Sequence, residues 1–304
     1  MEHVRWLTEP SLRSPTLVAA FTGWNDAGDA ASAAVRTLVE RWNATALAEI
    51  DPEPFTDFAT VRPHVRLEGG RRSIVWPTVG LWSASVPGGD VVLALGPEPA
   101  LRWKLFCVQF VTIVERCGVG MAVNLGALLA DVPHTRPVHV IGTASDAAIV
   151  ERFELQPSRY EGPTGIVGVL ADTLGRAGVP SASLWAAVPG YAQQIPSPKA
   201  TLALVERACG LLGTPAPTDA LVGAASDYDA RIAALIADDE DLVEYVTRLE
   251  AMVDEGDDDH LFDDEDDDDD PDGGDETGLD ESELDADELV AEVERFLRDR
   301  DPGG

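Results

Sequence analysis

The sequence predicts an α/β fold: a mainly parallel central sheet flanked by helices, followed by a C-terminal helical hairpin and a disordered acidic tail. Three observations carry that expectation. Short apolar runs of strand length alternate with helix-length segments from Thr16 to Leu212. After Pro215-Ala216-Pro217 the periodicity turns purely helical. From Asp254 onward the chain is mostly Asp, Glu and Gly, which cannot bury enough apolar surface to offset chain entropy. The expected units are an α/β body over 1–217, a helical subdomain over 218–253, a disordered acidic linker over 254–281 and a short amphipathic helix over 282–300.

Thr16–Phe21 is apolar, lies between Pro15 and Gly23, and reads as a buried strand. Asn25-Asp26 offers cap chemistry to a helix reaching about Trp42, with Ala30, Ala34, Leu38 and Trp42 on one face. Ala44–Ile50 is the next strand. Residues 51–87 are rich in Pro, Gly, Arg and aromatics, and Ser73–Trp76 with Val79–Val86 predict antiparallel strands at an edge. Strands then follow at Val91–Gly96, Met121–Leu125, Val138–Gly142 and Leu184–Val188. Between and after them fall helices at Ala100–Cys117, Asp146–Phe153, Pro163–Ala177 and Pro198–Leu212. In the hairpin Ala220–Ala237/Asp239–Val253, Leu242, Val246, Leu249 and Val253 form a single apolar stripe. In the tail, Leu289, Val293, Phe296 and Leu297 recur at helical spacing, with acids before them and Arg295, Arg298 and Arg300 late. They are the candidate partner-binding residues there.

The net charge of −33 divides unevenly. Residues 254–304 hold 26 acidic and 3 basic residues, whereas 1–253 hold 29 and 19, a net of only −10. Such a surface repels phosphate backbones, so neither nucleic acid nor an anionic membrane is an expected partner. No run reaches the ~18 apolar residues of a membrane span, and the start of the chain does not read as a signal peptide. A cytoplasmic location is expected. Cys107, Cys117 and Cys209 lack paired spacing and read as buried small hydrophobes. The five histidines show no metal-ligand spacing, and no metal or cofactor is expected.

No phosphate loop, dinucleotide fingerprint, zinc-protease helix or nucleophile elbow is present. Weaker candidates cluster in loops. Gly23-Trp24-Asn25-Asp26-Ala27-Gly28 follows the first strand, where parallel sheets bind ligands, and reads either as a ligand-side turn or as a capping turn. Glu98 and Arg102 open a helix, Glu98 as a possible acid or base or simply as a helix start between prolines. Asn124 lies in a strand. His134 and Arg136, with Asp131 in a proline-stiffened loop, could bind an anion or move a proton, or serve as hydrogen-bonding residues. Thr164 lies in a Gly-Pro-Thr-Gly helix start. Lys199 opens a helix, where a cation is unfavourable, which points to a specific acidic partner.

In order along the chain stand FTGWNDAGDAA (Phe21–Ala31), GPEP with Arg102-Trp103, GALLADVPHTRPV (Gly126–Val138) and GTASD (Gly142–Asp146). YEGPTGIVGVL (Tyr160–Leu170), PSASLWAAVPGY (Pro180–Tyr191) and PSPKATLALV (Pro196–Val205) complete the series. Together these segments resemble the actinobacterial branch of the proteasome-assembly-chaperone family, over about Thr16–Glu250. The resemblance implies a nucleoside-phosphorylase-like α/β body, homo-oligomerisation, and protein partners with proteasome subunits among them. Relatives that dock into proteasome α-ring pockets often end in a hydrophobic-Tyr-any-residue tail; the ending Arg300-Asp301-Pro302-Gly303-Gly304 departs from that pattern.

The leading expectation is therefore a non-catalytic, oligomeric, chaperone-type protein that binds other proteins. Two rivals stand beside it. One is a nucleotide- or phosphate-type small-molecule binder or enzyme, with Asn25, Asp26, Glu98, Arg102, Asn124, His134, Arg136 and Thr164 at the carboxyl ends of the strands. The other is a scaffold that recruits a partner through the acidic tail.

Overall fold

The computed structural model describes residues 3–256, so the expectations for 257–304, including Leu289, Val293, Phe296 and Leu297, lie outside the described residues. Strand β1 is Val4–Trp6, β2 Thr16–Thr22 and β3 Thr45–Ile50, with helix α1 (Ala30–Arg41) between the last two. Then come β4 (His64–Glu68), β5 (Arg71–Val75), β6 (Val79–Val86), β7 (Gly89–Pro97) and α2 (Trp103–Cys117). Strand β8 is Met121–Ala130, β9 Val140–Ala144, α3 Ala147–Phe153, β10 Gln156–Pro157, α4 Ile166–Arg176 and β11 Ser181–Pro189. The helices α5 (Pro198–Leu212), α6 (Asp219–Ile236) and α7 (Glu240–Glu255) finish the described chain.

Nine strands form one sheet in the order β1-β3-β6-β7-β2-β8-β11-β9-β10. Its centre, β7-β2-β8-β11, is parallel, as the α/β alternation requires. Antiparallel pairs lie to either side: β6 on β7, β3 on β6 and β1 on β3, and β9 on β11. Strand β2 shows why its sequence is apolar throughout. Leu17, Ala19 and Phe21 face a core made with α2 and α4, while Val18 and Ala20 face a second core made with α1 and α5. A strand covered on both faces reads as a continuous apolar run.

Helix ends follow local chemistry. Asp146 caps α3 by accepting from Ala148 N at 2.8 Å, and Asp239 caps α7 by accepting from Leu242 N at 3.0 Å. Pro198 opens α5 behind Ser197, whose Oγ accepts from Ala200 N at 3.2 Å. The three cysteines are free and buried, and burial pushes the Cys117 thiol to about 11 and Cys209 to about 12.

Four elements depart from expectation. Ser73–Trp76 does not pair with Val79–Val86: Gly69 and Gly70, both at positive φ, fold β5 back onto β4 as a separate two-stranded arm. Strand β6 is not an edge but sits between β3 and β7. Strand β8 runs on through Gly126 to Ala130; a Cβ there would lie 2.5 Å from the Trp185 ring, so this glycine makes room within a strand and does not end one. Strand β1, pairing Val4 with Ile50, is an added edge. No helix of the described residues is long and apolar enough to cross a membrane.

Candidate functional site

Because β2 and β7 are parallel neighbours, with Phe21 opposite Gly96 and Thr22 opposite Pro97, the turns that leave them emerge side by side. Glu98 N donates to Thr22 O at 2.9 Å. One carboxylate oxygen of Glu98, Oε1, then accepts from Asn25 Nδ2 and from Ile166 N, each at 2.8 Å. Glu98 thus joins the two strand ends to the start of α4, where a helix dipole favours negative charge. Gly165 is small for a reason, since a Cβ would overlap Asn25 Oδ1. Asn25 is fully buried, and its carbonyl accepts from Ala127 N at 2.8 Å.

Asp26 acts as a cap, but from a distance. Helix α1 starts at Ala30, after a 3-10 turn over Ala27–Asp29, and Asp26 Oδ1 reaches back to accept from Ser32 N at 2.9 Å. Burial pushes the Asp26 carboxyl above its ordinary range, opposed by its bonds to Ser32. Asn124 is fully buried in β8, in register with Ala19 and Ser183, and its side-chain amide has no hydrogen-bond partner among the described residues. Thr164 lies beside this cluster at the entry to α4. Arg102 is separate, an exposed residue at the left-handed start of α2. Neither of two cavities, of about 10 and 250 Å3, is lined by Asn25, Asp26, Glu98, Asn124 or Thr164.

His134 and Arg136 belong to a second cluster, beyond the ends of β8 and β11. Tyr191 Oη accepts from His134 N at 2.7 Å and lies 2.9 Å from His134 Nδ1. Where the Tyr191 hydroxyl donates to Nδ1, a neutral ring carries its proton on Nε2. Burial pushes the His134 pKa down, in the same direction, and Tyr191 up to about 12. Lys199 Nζ donates to His134 O and, at 2.9 Å, to Asp229 Oδ2 on α6. Asp229 is the acidic partner that a lysine at a helix start calls for.

Helix α7 is pinned to the same loop. Arg136 makes a bidentate pair with Asp254, Nε to Oδ1 at 2.8 Å and Nη2 to Oδ2 at 2.7 Å, and also reaches Glu250. Thr135 Oγ1 donates to Glu250, and Tyr245 Oη to Asp131 Oδ1 at 2.6 Å. Sequence alone did not single out Tyr191, Asp229, Glu250, Asp254 or Tyr245; only the misplaced charge of Lys199 pointed towards one of them.

The structure thus gathers most of the predicted residues into two groups, not one, and leaves Arg102 and Asn124 bonded to neither. Asn25, Asp26, Glu98 and the Thr164–Ile166 turn meet at the ends of β2 and β7, and His134 and Arg136 meet α5, α6 and α7. Among the described residues no three His, Cys, Asp or Glu side chains are grouped as a metal site would need.

This is an α/β protein whose signature loops tie its strand ends and helices together. The PAC2 family model matches residues 20–236, and the chain belongs to that family. A PAC2 family protein from Streptomyces avermitilis is 46% identical over 76% of this chain and 99% of its own, with a TM-score of 0.72. The Mycobacterium tuberculosis proteasome-assembly chaperone homologue Rv2125 is 44% identical over 76% of this chain and 99% of its own, with a TM-score of 0.69. PbaB, an archaeal proteasome activator from Pyrococcus furiosus, shares the fold at 15% identity over 76% of this chain and 97% of its own, with a TM-score of 0.62. No curated protein matches the chain.

Proposed function

We propose that this chain is a non-catalytic, homo-oligomeric assembly factor that binds proteasome subunits in the cytoplasm. The observation that carries this is its 44% identity, within the PAC2 family, to a protein described as a proteasome-assembly chaperone homologue. The strand-end chemistry supports it. Of the residues that could have served a substrate, Asn25 donates to Glu98, Glu98 and Asp26 accept from backbone amides, and none of the three lines either cavity. The test is capture of the tagged full-length chain from a native extract, with mass spectrometry of what comes with it. Proteasome subunits should co-purify, and a deletion strain should accumulate unassembled subunits. Capture without any proteasome subunit, together with normal assembly in the deletion strain, would overturn the proposal.

The arm β4–β5 is the surface we assign to self-association. Neither strand pairs with the main sheet, and every residue of both is exposed. A lone two-stranded hairpin is marginal in water and gains stability from a partner. Val65 lies opposite Ile74, so Val65, Leu67 and Ile74 share one face, and Leu67 is 73% exposed. Arg72 lies opposite Leu67 on that face, and over residues 62–75 the arm carries Arg62, Arg66, Arg71 and Arg72 against Glu68 alone. A basic, apolar arm on an acidic chain is complementary to a second copy of that chain. Leu67→Asp should therefore lower the mass measured by light scattering to that of a monomer, while changing stability by less than about 0.5 kcal/mol. An unchanged oligomer, or a monomeric wild type, would remove the arm from this role.

A further inference from the structure

We infer that the cavity beneath α7 is a binding site for a small organic carboxylate with an apolar body. The cavity measures about 250 Å3 and lies beyond the carboxyl ends of β8 and β11, between the 132–139 loop, the start of α5 and the last turns of α7. Ligand sites in α/β proteins concentrate at such strand ends. It is set apart from the strand-end cluster of Glu98, whose groups do not line it.

Its charge singles it out. Residues 1–253 carry a net −10, yet the ionisable side chains that line this cavity include His134, Arg136, His139 and Lys199, and among the described lining residues none is Asp or Glu. Asp229, Glu250 and Asp254, which hold Lys199 and Arg136, do so from outside the lining. Those carboxylates offset the cations, so an anion would be selected by the donor groups that face the cavity and not by a net positive field.

Two donors define how that anion is held. Lys199 Nζ has three N–H groups and uses two, on His134 O and Asp229 Oδ2, which leaves one for a ligand. His134 is 3% exposed and its Nε2 has no partner among the described residues; with Nδ1 accepting from Tyr191, Nε2 is a donor. A buried donor without an acceptor is uncommon in folded proteins, and a ligand carboxylate would satisfy it. The remaining wall is apolar, with Val132, Val138 and Ala187 among its residues. That wall favours a monoanion with a hydrocarbon part over inorganic phosphate. A phosphate would find no free guanidinium fork to meet it bidentately, since Arg136 already spends its own on Asp254.

The test uses the full-length chain and four probes: benzoate and isovalerate as carboxylates, benzamide as the neutral counterpart, and inorganic phosphate. Saturation-transfer NMR and calorimetry should show saturable binding of at least one carboxylate, with benzamide and phosphate weaker by about tenfold or more. Lys199→Gln removes the cation, and Val138→Phe fills the cavity without touching a charge. Each should weaken carboxylate binding by about tenfold or more. Should Lys199→Gln fail to fold because Asp229 loses its partner, Val138→Phe decides alone, with circular dichroism confirming its fold. No saturable carboxylate binding to the wild type, equal binding of benzamide, or unchanged binding in Val138→Phe would each overturn the inference. None of these outcomes bears on capture of proteasome subunits, so the two proposals fail separately.

Discussion

Glu98→Ala is expected to lower the free energy of unfolding by about 2–4 kcal/mol, because one carboxylate oxygen serves two donors that have no water to turn to. Asn25 is fully buried, and its Nδ2 would keep its place without an acceptor. Ile166 N, at the first turn of α4, would lose the side-chain acceptor that stands where no intrahelical partner exists. Glu98→Gln separates the components: it keeps an acceptor of the same shape but gives up the charge opposite the helix dipole, and should cost about 1 kcal/mol. Urea denaturation followed by circular dichroism measures both, with an unchanged slope as the check on two-state behaviour. A loss under about 1 kcal/mol for Glu98→Ala would mean that the join between strand ends and α4 contributes little.

The same residue shows how far the sequence could be read. That Asn25, Asp26, Glu98 and Thr164 lie in loops between an apolar run and a helix is visible in the sequence. That Glu98 meets Asn25 and α4 is not, because it depends on β7, β2 and β8 being consecutive in the sheet. Periodicity reports which face of a strand is buried, not which strand lies beside it. His134 shares the loop setting of the others, yet it falls in a different cluster, with partners on α5 and in the turn after β11. The arm departs from expectation for a related reason: Gly69-Gly70 is a hairpin turn signal, and it outweighs the apolar likeness of Ser73–Trp76 to the strand that follows. Helix ends, by contrast, are local: Asp146, Ser197 and Asp239 each cap the helix that starts beside them.

Phe106→Ala should have the largest effect, a loss of about 3–5 kcal/mol, as truncation of a buried aromatic leaves a cavity that rigid neighbours cannot close. Phe106 is buried at the centre of an aromatic group, with ring centroids 5.9 Å from Phe21, 5.3 Å from Phe55 and 5.4 Å from Phe110. The first two contacts are edge-to-face, a geometry that contributes beyond buried area. Phe106→Leu keeps most of the volume and should cost about 1–2 kcal/mol. The two sites are also coupled. Phe55 O accepts from Ala100 N at 2.8 Å and Leu101 N at 3.0 Å, so the ring that packs on Phe106 belongs to the residue that anchors the loop just after Glu98. Loosening Phe55 should let Glu98 relax away from Asn25 and Ile166, and the double variant Phe106→Ala/Glu98→Ala should then lose less than the sum of its parts, by about 0.5–1 kcal/mol. Strict additivity in that cycle would show that the aromatic core and the strand-end join hold the α2 face independently.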